Sequence, residues 1–107
     1  MPQYLYRISP ARPGFYAAPT VAENEAVDRH FRYLQRAAAE GIVLLAGRTL
    51  IENAEGFGIV VLVASSESEA QRFAEEDPAV KAGVFRMELF PFRVALASAR
   101  GLAAASS

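Results

Sequence analysis

Residues 20–41 read TVAENEAVDRHFRYLQRAAAEG, and their apolar positions repeat at helical rather than strand spacing. Val27, His30, Leu34, Ala37 and Gly41 recur every three or four residues, so they share one stripe of a helix, widened by Phe31 and Ala38. Thr20 and Glu23 form a capping-box pattern at the start, and Gly41 suits the left-handed residue that closes a helix. The inward stripe therefore carries the only histidine of the chain, His30.

On the N-terminal side, QYLYRIS (residues 3–9) alternates Tyr4, Tyr6 and Ile8 against Leu5 and Arg7, the pattern of a first strand. Pro10, Pro13, Gly14 and Pro19 break regular structure, so residues 10–19 form a loop anchored by Phe15 and Tyr16 and placed to roof a site. On the C-terminal side, IVLLAGRTL (42–50) predicts strand two, with turn-forming Asn53 and Gly56 after it. FGIVVLVA (57–64) is apolar at consecutive positions, as in a central strand covered on both faces. Ser66 and Glu69 repeat the capping box and open a second helix to residue 76, with Ala70, Phe73 and Ala74 inward. Asp77 before Pro78 marks a boundary and caps one extra turn closed by Gly83. VFRMELFPFRVAL (84–96) predicts strand four, which Pro91 confines to an edge or a bulge. The small, polar stretch from residue 97 is expected to be a loose tail of a single domain spanning 1–107.

The order βαββαβ predicts an α+β, ferredoxin-like sandwich: a four-stranded antiparallel sheet with both helices on one face. The other face of a strand as apolar as FGIVVLVA would then meet water, so a homodimer that covers it is expected.

Apolar residues make up 52% of the 107 residues and charged residues 21%, which fits a packed globular domain. A formal net charge of −1 supplies no basic field for nucleic acid, and no partner of that class is expected. The absence of cysteine removes thiolate chemistry and disulfides, and one histidine makes a dedicated metal site unexpected. No phosphate-binding glycine loop occurs, so no cofactor is implied. The opening MPQYLYRISP lacks a signal pattern and no run is long enough to span a bilayer, so a cytoplasmic chain without membrane contact is expected.

His30 has two readings: a core imidazole bonded to a backbone carbonyl, or an acid/base whose tautomer is fixed by a carboxylate. Arg48 and Arg7 interrupt apolar strands; each either reaches solvent or clamps an anionic substrate, and Arg48, beside Gly47, is the better candidate.

Four motifs carry a family resemblance: H-x-x-Y-L at residues 30–34, G-x-x-x-L-A-G at 41–47, DPAVKAGVF at 77–85, and the Pro91-Phe92 pair. The chain resembles the YciI-like (YCII-related domain) family, whose members are similar in fold to muconolactone isomerase, as dimeric α+β barrels. The resemblance implies a His-Asp pair made by His30 and Asp77. Many relatives have an arginine where Val27 stands, and a proline where Arg48 stands. Asp77 alternatively serves only as a helix cap, and a cap and a pair are expected to need different carboxylate oxygens.

Two functions follow. One is a cofactor-independent enzyme, isomerase- or lyase-like, with His30 as base and acid, Asp77 orienting it, and Arg48 and Arg7 binding a small-molecule ligand. The alternative is a non-catalytic small-molecule binding or assembly module.

Overall fold

The computed structural model describes residues 1–102. Its elements are β1 (Gln3–Pro10), α1 (Val21–Ala39), β2 (Val43–Arg48), β3 (Gly58–Val63), α2 (Glu67–Glu76), α3 (Pro78–Lys81) and β4 (Phe85–Phe92). The strands form one antiparallel sheet in the order β2-β3-β1-β4, a ferredoxin-like α+β arrangement. β3 is interior, and β4, which contains Pro91, is an edge strand where a missing N–H is tolerated. β2, β3 and β4 are each shorter than expected, and β2 and β4 end where their partners run out. Arg48 faces Gly58, the first residue of β3, and Phe92 faces Gln3, the first of β1. Of the tail expected from residue 97, residues 103–107 lie outside the described part; before them, the Gly101 N–H donates to the Ser98 carbonyl at 3.2 Å.

The capping box at Thr20 is complete: the Thr20 hydroxyl accepts from the Glu23 N–H, and the Glu23 carboxylate accepts from the Thr20 N–H. At the other end the Gly41 N–H donates to Ala38 and the Ile42 N–H to Ala37. Gly41 makes this turn at φ +80°, where a side chain is strained.

The core lies between the helices and one sheet face, built from Tyr4, Tyr6, Ile8, Val60, Leu62 and the inward residues of α1 and α2. Ala70 and Ala74 are fully buried, so α2 sits close to the sheet, with Phe73 packed at the core edge as expected. The stripe of α1 departs from expectation. Leu34 and Ala37 are buried together with Ala26, whereas Phe31 is 65% exposed and Ala38 and Gly41 are also exposed. Phe31 and Ala38 line a cavity between α1 and the sheet instead of meeting packed core there.

A β-bulge between Val43 and Leu45 shapes that flank. Val43 pairs with Leu62, but after the extra residue Ala46 pairs with Val60 and Arg48 with Gly58. Because side chains alternate along a strand, the bulge turns Ala46 and Arg48 toward the helices; an unbroken register would have sent Leu45 and Gly47 there. The opposite sheet face carries Leu5, Ile59, Val61, Val63, Phe90 and Phe92, with Phe90 44% and Phe92 41% exposed. Among the described residues no helix is long and apolar enough to cross a membrane.

The loop before α1 is fastened by Arg12, whose Nε and Nη2 donate to the two Glu23 carboxylate oxygens at 2.8 and 2.7 Å. These bonds, then the Thr20 backbone, lower the Glu23 pKa from 4.5 to about 2. A carboxyl lowered on folding adds stability above its unfolded pKa that is lost as pH falls through the folded value. The stability gap between wild type and Arg12→Met, followed by urea denaturation, should be constant above pH 4.5 and close as pH approaches about 2. A gap that ignores pH would mean that Arg12 acts by packing alone.

Candidate active site

Asp77 ends α2 and caps α3, with Pro78 behind it forbidding a continued helix. This junction places the carboxylate, 0% exposed, beneath the middle of α1. A buried anion is costly unless its lone pairs are filled, and here three donors fill them. The Tyr6 hydroxyl donates to Oδ2 at 2.8 Å, the Ala79 N–H donates to Oδ1 at 3.1 Å, and His30 Nδ1 lies 2.8 Å from both oxygens. The cap and the pair thus share Oδ1, against the expectation that they need separate oxygens; one carboxylate oxygen has two lone pairs and accepts both.

An ionised carboxylate only accepts, so the proton of a neutral His30 ring sits on Nδ1. Nε2 has no partner among the described residues, and no buried polar side-chain atom goes unpaired, so Nε2 is open to solvent. His30 lines the cavity between α1 and the sheet, about 510 Å³ in volume, and with Nδ1 turned to Asp77 it is Nε2 that is left for that side. Around His30 the wall is aromatic: Phe85 meets the imidazole edge to face at 5.4 Å, Phe15 meets Phe85 at 5.7 Å, and Tyr16 lines the cavity. The loop of residues 11–19 is therefore the roof at this end. The other flank is lined by Val43, Ala46, Arg48, Gly58 and Val60. A Cβ at Gly58 would lie 3.1 Å from Ile8 Cγ1 and 3.2 Å from the Gly47 carbonyl, so glycine there keeps the floor low.

The structure brings His30, Asp77 and Arg48 to one side of the sheet and does not bring Arg7 with them. Strand alternation turns Arg7 to the opposite face, where its guanidinium lies 4.2 Å above the Phe57 ring. Among the described residues no three His, Asp or Glu side chains gather as a metal ligand set.

Tyr6 is the site residue that sequence reasoning passed over. It stands on the inward side of β1 and is fully buried, and a buried tyrosine hydroxyl needs a partner, which was the available signal. Burial, then the Asp77 charge, pushes its pKa far upward, so it stays a donor at every pH the fold experiences. Tyr33, bonded to the Phe73 carbonyl at 2.7 Å, is pushed up to about 12 by burial, then by Asp77 and Glu76. Tyr6→Phe removes one of three donors from a buried carboxylate, and urea denaturation should show a loss of about 1–3 kcal/mol. A loss below about 0.5 kcal/mol would mean that water replaces the hydroxyl.

Among curated proteins nothing matches this chain. Among solved structures it is similar to 5-chloro-2-hydroxyhydroquinone dehydrochlorinase from Burkholderia phenoliruptrix, solved with 2,5-dihydroxybenzoquinone. The TM-score is 0.65 at 23% identity, over 85% of this chain and 93% of that one. An uncharacterized protein from Thermotoga maritima is similar at TM-score 0.54 and 11% identity, over 85% of this chain and 95% of that one. At these identities the likeness is one of fold. The sequence model of the YCII-related domain matches residues 6–93, and on that match the chain belongs to the YCII-related domain family.

Proposed function

We propose that this chain is a cofactor-independent enzyme that moves a proton on a small molecule, with His30 as general base and acid and Asp77 orienting it. The observation that supports this most is the two-sided use of the ring: Nδ1 is held by a buried carboxylate while Nε2 opens on an apolar cavity. Nε2 would accept a proton from a carbon acidified by a neighbouring carbonyl. The imidazolium so formed is stabilised by Asp77, and Tyr6 and the Ala79 N–H hold that carboxylate still while the charge develops. Returning the proton to another atom gives isomerisation; loss of a leaving group from the adjacent carbon gives elimination. The dehydrochlorinase of similar fold bears a name in keeping with the second outcome, on an oxygenated ring.

Binding without turnover is the competing role, and solvent isotope exchange separates the two. In D₂O, a panel of unsaturated lactones and quinols should include a compound whose C–H exchanges in the presence of wild type. Exchange should fall at least about 100-fold in His30→Ala. Asp77→Asn keeps one accepting oxygen for the cap and turns an amide N–H₂ toward Nδ1, so nitrogen-detected NMR should find the neutral ring changed from the Nδ1–H to the Nε2–H tautomer. A tautomer unchanged in a folded Asp77→Asn protein would reject the orienting role, and a ligand bound without exchange would favour the binding module.

We also propose that a second copy of the chain covers the open sheet face, because Phe90, Phe92 and Leu45 are exposed there beside Val61, with Arg7 and Glu88 at one end of the apolar area. Light scattering at micromolar concentration should give the mass of a dimer, and Phe90→Lys should give a monomer. A wild-type monomer at that concentration would refute the pairing.

A further inference from the structure

Resting on the acid/base reading of His30, we infer that the cavity takes a ring-sized apolar monocarboxylate, with the carboxylate on Arg48 and the apolar body between Arg48 and the imidazole. Arg48 is the only arginine or lysine lining the cavity among the described residues, and no carboxylate lines it. Its guanidinium is weakly engaged: Nη1 is 3.5 Å from the Thr49 carbonyl and Nη2 is 3.9 Å from Glu52, with side chains 52% and 66% exposed. An ion pair so exposed contributes little, and a ligand carboxylate displaces it easily. Arg12 of the roof offers no alternative, since it does not line the cavity and its Nε and Nη2 are held by Glu23 and the Ala18 carbonyl.

The anion is a carboxylate because one planar guanidinium matches a single carboxylate through two parallel bonds. A phosphate dianion calls for further cations or a cradle of backbone amides, and no lysine lines the site. The size follows from the sheet. Arg48, Gly58 and Ile8 are successive register partners across β2, β3 and β1. The Arg48 and Ile8 backbones therefore stand roughly 10 Å apart, two interstrand steps of about 4.8 Å. His30 lies over the β1 and β4 side through its contacts with Asp77 and Phe85. Once the arginine side chain has used part of that width, a single ring spans the rest. The cavity volume of about 510 Å³ agrees, being in the lower half of the range of roughly 300–1,000 Å³ for small-molecule sites. Phe31, exposed at the rim on α1, becomes the lid surface for the apolar body.

Benzoate and benzamide share a shape and differ in charge, so they serve as the probe pair in NMR titrations of the labelled protein. Wild type should bind benzoate about tenfold tighter than benzamide, with shift changes at the His30 ring. Arg48→Met should abolish that preference by weakening benzoate alone, whereas Arg48→Lys should keep part of it. Equal binding of the two probes by wild type, a preference that survives in Arg48→Met, or shifts confined to residues outside the cavity would each overturn the inference. His30→Asn separates the two claims: a preference retained there while isotope exchange fails in wild type leaves the carboxylate anchor standing and removes only the acid/base role.

Discussion

A carboxylate with no exposed surface governs this fold. Asp77 is tolerated inside because strand β1 supplies the Tyr6 hydroxyl, the start of α3 supplies the Ala79 N–H, and α1 supplies the His30 ring. Each donor belongs to a different element, so satisfying one anion fixes three elements relative to one another. The same demand fixes the imidazole: the nitrogen that serves the carboxylate is unavailable for anything else, and the second nitrogen is left for the cavity.

The cavity exists because packing is uneven across the sheet. Toward β4 the core is filled by Tyr6, Tyr33, Phe73, Ala70 and Ala74, with the Tyr33 and Phe73 rings 4.8 Å apart. Toward β2 a cavity takes the place of packed side chains, and the inward positions are small, Ala46 and Gly58, beside Val43 and the long Arg48. Filling that flank would add hydrophobic stabilisation of roughly 25 cal/mol for each Å² of apolar surface removed from water. Leaving it open is a cost that a purely structural domain has no reason to bear, and such departures from best packing gather at functional sites.

Much of this was legible in the sequence. Period-two and helical spacing, the capping patterns and Gly41 gave the order of elements, and the order gave the sheet topology, although at α2 only the Ser66 half of the expected box forms, the Glu69 carboxylate accepting from the Ser65 hydroxyl instead. His30 could be placed on the inner side of α1 from spacing alone, while the link to Asp77 came from resemblance, because no local pattern says that residues 47 positions apart will touch. Three things were out of reach. The bulge at β2 has no turn residue to announce it, so nothing in VLLAGR indicates that Arg48 and Ala46 share the helix side. The exposure of Phe31 depends on how far α1 stands from the sheet, which is a matter of tertiary packing. Arg12, in a loop of prolines and glycine, could not be assigned to Glu23, since the capping box already gave that glutamate a role.

The two halves of the site are built to different standards of rigidity, and this divides their tasks. Tyr6, Asp77 and the Nδ1 side of His30 are buried, mutually bonded and held by interior elements, so under the proposed function the geometry of proton transfer would be set before any ligand arrives. Arg48 stands at the end of an edge strand, half in solvent, with long bonds to Thr49 and Glu52 and a bulge just before it. Ordering that side chain would cost conformational entropy on binding, so its proposed hold on an anion would be weaker than a preorganised clamp gives. Under the proposed function, a domain arranged in this way would keep the acid/base atom constant and let the outer strand decide which molecule reaches it. On that reading, changes at positions 46 and 48 would alter the ligand without disturbing the buried carboxylate, because neither contacts Tyr6, His30 or Asp77 through a hydrogen bond.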